Sequence, residues 1–210
     1  MKPKKSAQNS AAVYNAQKVT ELSGVISKNT TLMGIVKVVK DVYVPEGVAL
    51  RFLKGTEVRF EKSESTKVEP FYLKSNTEIL VRGTIIAKGT KENKVRFVSE
   101  LDSEGNKEFS GIILMKSDEA LFEHAQFENA ETAIQATKSN LTIKHSEFSN
   151  CFYALSTSES LVSIDTVTVR DSDKGLYFHK NSAGKVKNSA FSNCKEDAIF
   201  IDKRSDIKIT

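Results

Sequence analysis

The side chains with chemistry of their own are few: three histidines, His124, His145 and His179, and two cysteines, Cys151 and Cys194. His124 and His145 are 21 residues apart. Two imidazoles stacked at that interval make half of a metal site. The position 21 further on is Thr166, which supplies no third ligand. A polar turn ladder is the better reading, and no metal or other cofactor is expected. Tyr177, His179, Phe200 and Asp202 are the candidate ligand-binding residues. Aromatic rings beside hydrogen-bonding side chains suit a sugar face, and a His beside an acid is also the pairing of general acid–base catalysis. No catalytic residue is assigned. Asp171 and Asp173, next to Arg170, lack a third carboxylate in the adjoining rows. No spacing forces Asp165 or Glu159 to face Asp202 across the about 5 to 10 Å that glycoside hydrolysis requires.

These residues sit on a repeat. Phe127, Phe148, Val169 and Phe191 follow one another at steps of 21, 21 and 22, each with Asn or Asp two positions later: Asn129, Asn150, Asp171 and Asn193. Six or seven residues after each comes a small residue and an aliphatic one: Ala133-Ile134, Ala154-Leu155, Gly175-Leu176 and Ala198-Ile199, with Gly111-Ile112 beginning the series. Within each row apolar and polar residues alternate, the period of short strands with one buried face. A single row cannot bury its own apolar face, so each strand is expected to pair with its equivalent one row on. The fold class is therefore all-β, a single-stranded right-handed parallel β-helix of about eight coils of ~22 residues, about 40 Å long. Phe, Ile, Leu and Val fill its interior, and Asn129, Asn150, Asp171 and Asn193 form a side-chain ladder at one turn.

The register also sets distances. Cys151 and Cys194 share a row position with Ser172 between them, two coils or about 9.6 Å apart, whereas a disulfide needs Cα atoms within about 7 Å; they are expected to be unbonded. If Ile112, Ile134, Leu155, Leu176 and Ile199 point inward, two ladders point outward. One is Ile113, Gln135, Ser156, Tyr177 and Phe200; the other is Met115, Thr137, Ser158, His179 and Asp202. The four candidates then make one exposed patch, with His179 one coil from Asp202 and within reach of a hydrogen bond.

The N-terminal half is less regular. Pro45-Glu46-Gly47 reads as a turn between strands, Lys54-Gly55 opens the strand to Phe60, and Arg82-Gly83 divides two more strands. Two polar stretches, 61–70 and 99–107, read as loops leaving the coil. Residues 1–20 read as a flexible basic leader and 21–210 as the β-helix. Lys2, Lys4, Lys5 and Lys18 are the only charges in the leader, which leaves 27 basic and 27 acidic side chains in the body. A body of zero formal charge argues against nucleic acid as a partner, and no apolar run is long enough for a transmembrane helix.

The run DVYVPEGVALRFLKGTEVRF, then EILVRGTIIAKGTKENKVRFVS, SGIILMKS and the Ser-x-Phe-x-Asn rows resembles the right-handed parallel β-helix repeats of bacterial surface and periplasmic proteins. These include the NosD-like group and the carbohydrate-binding and sugar-hydrolase repeat group, related in shape to the pectate-lyase-like superfamily. The resemblance implies a non-catalytic scaffold or binding module of an exported, periplasmic or cell-surface protein, with polysaccharide as its partner. An alternative from the same resemblance is a carbohydrate-active lyase or hydrolase. The clustered calcium-binding Asp residues of pectate lyases and the Asn-Thr-Asp, Asp-Asp, Gly-His-Gly and Arg-Ile-Lys segments of polygalacturonases do not occur here. A second alternative, a periplasmic metal-handling accessory, is opposed by the few Met, His and Cys residues. The stretch 206–210 reads as a last strand without a capping helix, so another subunit or a further domain is expected to dock on the C-terminal rung.

Overall fold

The computed structural model describes residues 19–62, 77–99 and 109–210. Residues 1–18 of the expected leader, and most of the two expected loops, lie outside the described residues. The strand Val19–Val25 pairs with Ile35–Val44 from Val19 onward, so the solenoid begins two residues inside the span read as leader.

Twenty strands are described and every pairing between them is parallel. They stack as eight rungs, each passing through three sheets. In sheet one the stacked column is Gly24, Val42, Ile79, Ile112, Ile134, Leu155, Leu176 and Ile199. In sheet two it is Leu32, Phe52, Ala87, Phe122, Ile143, Ile164, Val186 and Ile209. In sheet three it is Thr20, Val36, Val58, Phe97, Phe127, Phe148, Val169 and Phe191. This is a right-handed parallel β-helix of eight rungs, as the repeat requires.

The interior follows from the alternation. Phe97, Phe127 and Phe148 stack face to face, with centroids 4.9 and 4.8 Å apart and planes within 10°. Phe122 meets Phe97 and Phe127 edge-on from sheet two. All four rings are fully buried. The rung spacing of about 4.8 Å in parallel sheets is also a favourable ring-to-ring distance, which is why Phe can recur at one position in successive rungs.

The corners follow from local backbone chemistry. Three columns hold left-handed residues: Lys116, Lys138, Glu159 and Lys180; His124, His145, Thr166 and Asn188; and Asn129, Asn150, Asp171 and Asn193, all at φ between 48° and 60°. Asn, Asp and His tolerate this region better than other side-chain-bearing residues. After ten of these twelve residues comes a small one, Ser, Ala or Cys and most often Ser; Val167 and Asn181 are the exceptions. Ser139 Oγ donates to Thr137 O at 2.9 Å and accepts from Ser117 N at 3.0 Å in the preceding rung. Ser160 serves Ser139, Ser146 serves Ala125, and Ser172 serves Cys151 in the same way. Ser139→Ala leaves the Ser117 amide without its acceptor in a buried corner. It is expected to cost about 1 to 2 kcal/mol in urea unfolding, where an exposed Ser192→Ala change costs nothing measurable.

Candidate functional site

The outer face of sheet one carries the candidates. Ile113, Gln135, Ser156, Tyr177 and Phe200 stand in one register column, and Met115, Thr137, Ser158 and His179 in the next. Asp202 lies one residue beyond the strand Ile199–Ile201 and is held in line by its amide, which donates to Phe178 O at 3.0 Å. All four candidates therefore meet at the C-terminal end of this face.

They do not form the uniformly exposed patch expected. Tyr177 points away from the core but is only 6% exposed. Phe200 stacks on it at 5.1 Å and 19°, Tyr153 meets it edge-on at 5.1 Å, and its hydroxyl donates to Asp197 Oδ2 at 3.1 Å. Burial raises the Tyr177 phenol above its ordinary value, and the hydrogen bond to Asp197 adds to that. Phe200 is the ring that faces solvent, at 37% exposure. His179 packs tilted against Tyr177 and Phe200, 5.9 and 5.4 Å away.

The expected His179–Asp202 hydrogen bond is not made. Asp202 Oδ2 accepts from Lys180 N at 2.8 Å, and Oδ1 accepts from Arg204 N and Ser205 Oγ at 3.0 and 2.9 Å. The carboxylate caps two backbone turns, and the Lys180 amide is what chiefly holds it below the usual Asp range. It reaches His179 only through space. Burial pushes the His179 imidazole down, and the nearby Asp202 charge opposes this in part. The unfolded chain therefore binds this proton before the folded one does as pH falls through the ordinary value of 6.5. Stability is expected to decline with acidification just below that pH, and His179→Asn is expected to flatten the decline in urea midpoints taken from pH 7.5 to 5. An unchanged slope contradicts the burial argument.

A cationic corner adjoins the rings, built from residues that the repeat alone did not single out. Lys174 Nζ lies 4.8, 4.7 and 5.9 Å from the ring centres of Phe152, Tyr153 and Tyr177. It bonds Tyr153 Oη at 3.0 Å and pairs with Glu196 at 3.4 Å. The Tyr153 bond leads the causes that hold its ammonium above the ordinary Lys value. The register pair Tyr153↔Lys174 was the available signal. Toward the N-terminal side, a groove of about 270 Å³ opens beside His179 and Lys180, floored by Gln135, Thr137, Ser156 and Ser158. His179 joins this trough to the rings of Tyr177 and Phe200.

A family model described as the right-handed β-helix region matches residues 91–210, more than half of the chain. The chain belongs to the right-handed β-helix family. None of the curated proteins and none of the solved structures compared with this β-helix matches it.

The other candidates take structural places in the β-helix. His124 and His145 stack at 4.9 Å and 16°, both on left-handed corner residues, and no group of three metal-ligating side chains occurs among the described residues. Cys151 and Cys194 are free thiols in the Ser172 column. Cys151 Sγ reaches Ser149 O at 3.4 Å, as Ser172 Oγ reaches Arg170 O at 3.0 Å, so the thiol stands in for the corner serine. Burial raises the Cys194 thiol, which disfavours the reactive thiolate. In the Asn column, Asn150 donates to Asn129 Oδ1 and Asn193 to Asp171 Oδ1, both at 2.8 Å.

Proposed function

We propose that this β-helix is a non-catalytic, rigid binding module of an exported protein and that its ligand is a polysaccharide held along the outer face of sheet one. One observation carries the reading: His179, which lines the trough with Gln135, Thr137, Ser156, Ser158 and Glu159, packs against the stacked Tyr177 and Phe200 rings. Hydroxyls and amides meet sugar hydroxyls, and the exposed Phe200 ring offers an apolar platform to a sugar face. The scaffold is rigid because each inner rung is bonded to two neighbours and the last, which carries Phe200, to the rung before it, so binding orders little of the protein. A binding role without chemistry is supported by Asp202, whose oxygens are engaged by backbone amides and Ser205. A glycan array with the full chain, run beside a reducing-sugar release assay, tests the reading. Retention on a neutral polysaccharide, weakened by Phe200→Ala and without sugar release, is the expected result. Sugar release abolished by His179→Ala or Asp202→Ala overturns it in favour of a lyase or hydrolase.

A further inference from the structure

The eighth rung is open along one edge. Its strands Ala190–Ser192, Ile199–Ile201 and Asp206–Ile209 each pair with the rung before, and among the described residues no strand pairs with their other edge. The inward columns change at this rung. Val169, Leu176, Phe178 and Val186 are buried, whereas their register partners Phe191, Ile199 and Ile201 are half-buried and Ile209 is 54% exposed. The first rung differs, because its core residues Leu22, Ile26 and Leu32 are buried. An unpaired apolar edge is a template for another strand, and the residues along this one select which strand fits.

The strand Asp206–Ile209 is complementary to itself. Asp206 N donates to Ser182 O at 2.9 Å and Thr210 N to Val186 O at 3.0 Å, both in the rung before. Backbone groups alternate in direction along a strand, so Ile207 turns its N–H and its C=O to the open edge. A second copy of this strand, laid antiparallel with Ile207 opposite Ile207, exchanges both hydrogen bonds at that residue. The same register sets Asp206 of each copy opposite Lys208 of the other. Those flanking positions are the closer, non-hydrogen-bonded pairs of an antiparallel ladder, where opposite charges stabilise and like charges repel. Both side chains are exposed, as such a pair needs, while Ile207 belongs to the inward column of Val162 and Gly184 and meets its counterpart on the core side. Moving the centre one residue on, to Lys208, sets Lys208 against Lys208 and is repelled.

The axis that centres this pair exchanges sheets one and three. Ala190–Ser192 of each copy then faces Ile199–Ile201 of the other, three residues against three, and the half-buried Phe191, Ile199 and Ile201 close the core from both sides. A head-to-tail contact fits less well. It would lay this rung on a first rung whose core is already covered, and it would repeat without closing, whereas a twofold contact closes at two copies.

We propose that the eighth rung is a dimer interface, at which two copies of this chain meet end to end about a twofold axis through Ile207, with Asp206 and Lys208 paired across it. Phe200 stands in an outward column and is not used by the contact, so the proposal is independent of the ligand proposed for sheet one.

Sedimentation velocity of the full chain and two charge-reversed variants tests it. The parent is expected to dimerise with a dissociation constant on the order of micromolar. Asp206→Lys alone, or Lys208→Asp alone, sets like charges opposite each other on both sides of the axis and is expected to weaken self-association at least about tenfold. Mixed in equal amounts, the two variants again place Lys against Asp at both pairs. The mixture is expected to associate within about threefold of the parent, a rescue that misfolded variants would not give. A parent that stays monomeric at about a hundredfold above micromolar, single variants that associate as the parent does, a mixture no tighter than either variant alone, or species that keep growing past the dimer overturns the proposal.

Discussion

Phe127→Ala is expected to lower the free energy of unfolding by about 3 to 5 kcal/mol, the range for truncating a fully buried aromatic ring. Phe127 has three aromatic neighbours in the core: it stacks on Phe97 at 4.9 Å and Phe148 at 4.8 Å and takes Phe122 edge-on at 5.4 Å. The rungs above and below are pinned by their own hydrogen bonds and cannot close over the cavity without shearing two sheets. Leu161→Ala is the control, because that side chain is 60% exposed; surface changes of this kind stay within about 0.5 kcal/mol. With no Trp in the chain, far-UV circular dichroism in urea is the natural readout. A loss under about 1 kcal/mol for Phe127→Ala contradicts an axial ring column, because even partial collapse of a Phe-sized cavity costs more than that.

Phe200→Ala carries the largest expected effect on binding, about thirtyfold weaker retention on neutral polysaccharide, as for a central aromatic contact worth about 2 kcal/mol. The ring is the exposed member of a stack whose inner member, Tyr177, is already tied to Asp197 and Tyr153. Its removal therefore takes away the platform while leaving its support in place. Phe200→Tyr keeps a ring on the same stack and is expected to bind within about threefold of the parent. If both variants bind as the parent does, the aromatic wall is plain surface. If both fail alike with an unchanged circular dichroism spectrum, the ring acts by something other than stacking.

The architecture was readable because a solenoid writes its register into the chain. The column Gln135, Ser156, Tyr177, Phe200 and its neighbour Thr137, Ser158, His179 pair as the row alignment requires. Alternation reports which side chains leave the core; it does not report what lies over them. Tyr177 leaves the core and is then covered by Phe200, Tyr153 and the segment at Asp197. Asp202 sits where the row count puts it, but the strand ends at Ile201, and the turn that follows exposes amides that capture its carboxylate. The corner serines were open to view in the rows at 117, 139, 160 and 182, yet their role depends on the left-handed residue before each of them. Short-range backbone demands of that kind do not show in hydrophobic periodicity.

The eight-rung stack itself is tested most directly by pulsed electron–electron resonance between nitroxides on one outward column of sheet two. Arg51, Ser163, Lys185 and Lys208 belong to that column. The native thiols are replaced by Ser, the residue their column already holds at Ser172. With Arg51 as the fixed partner, labels at 163, 185 and 208 lie four, five and six rungs away. In-register stacking predicts distances of about 19, 24 and 29 Å, rising by about 4.8 Å per rung. Three distances that fail to rise in that order, or that cluster at one value, contradict rungs stacked in register.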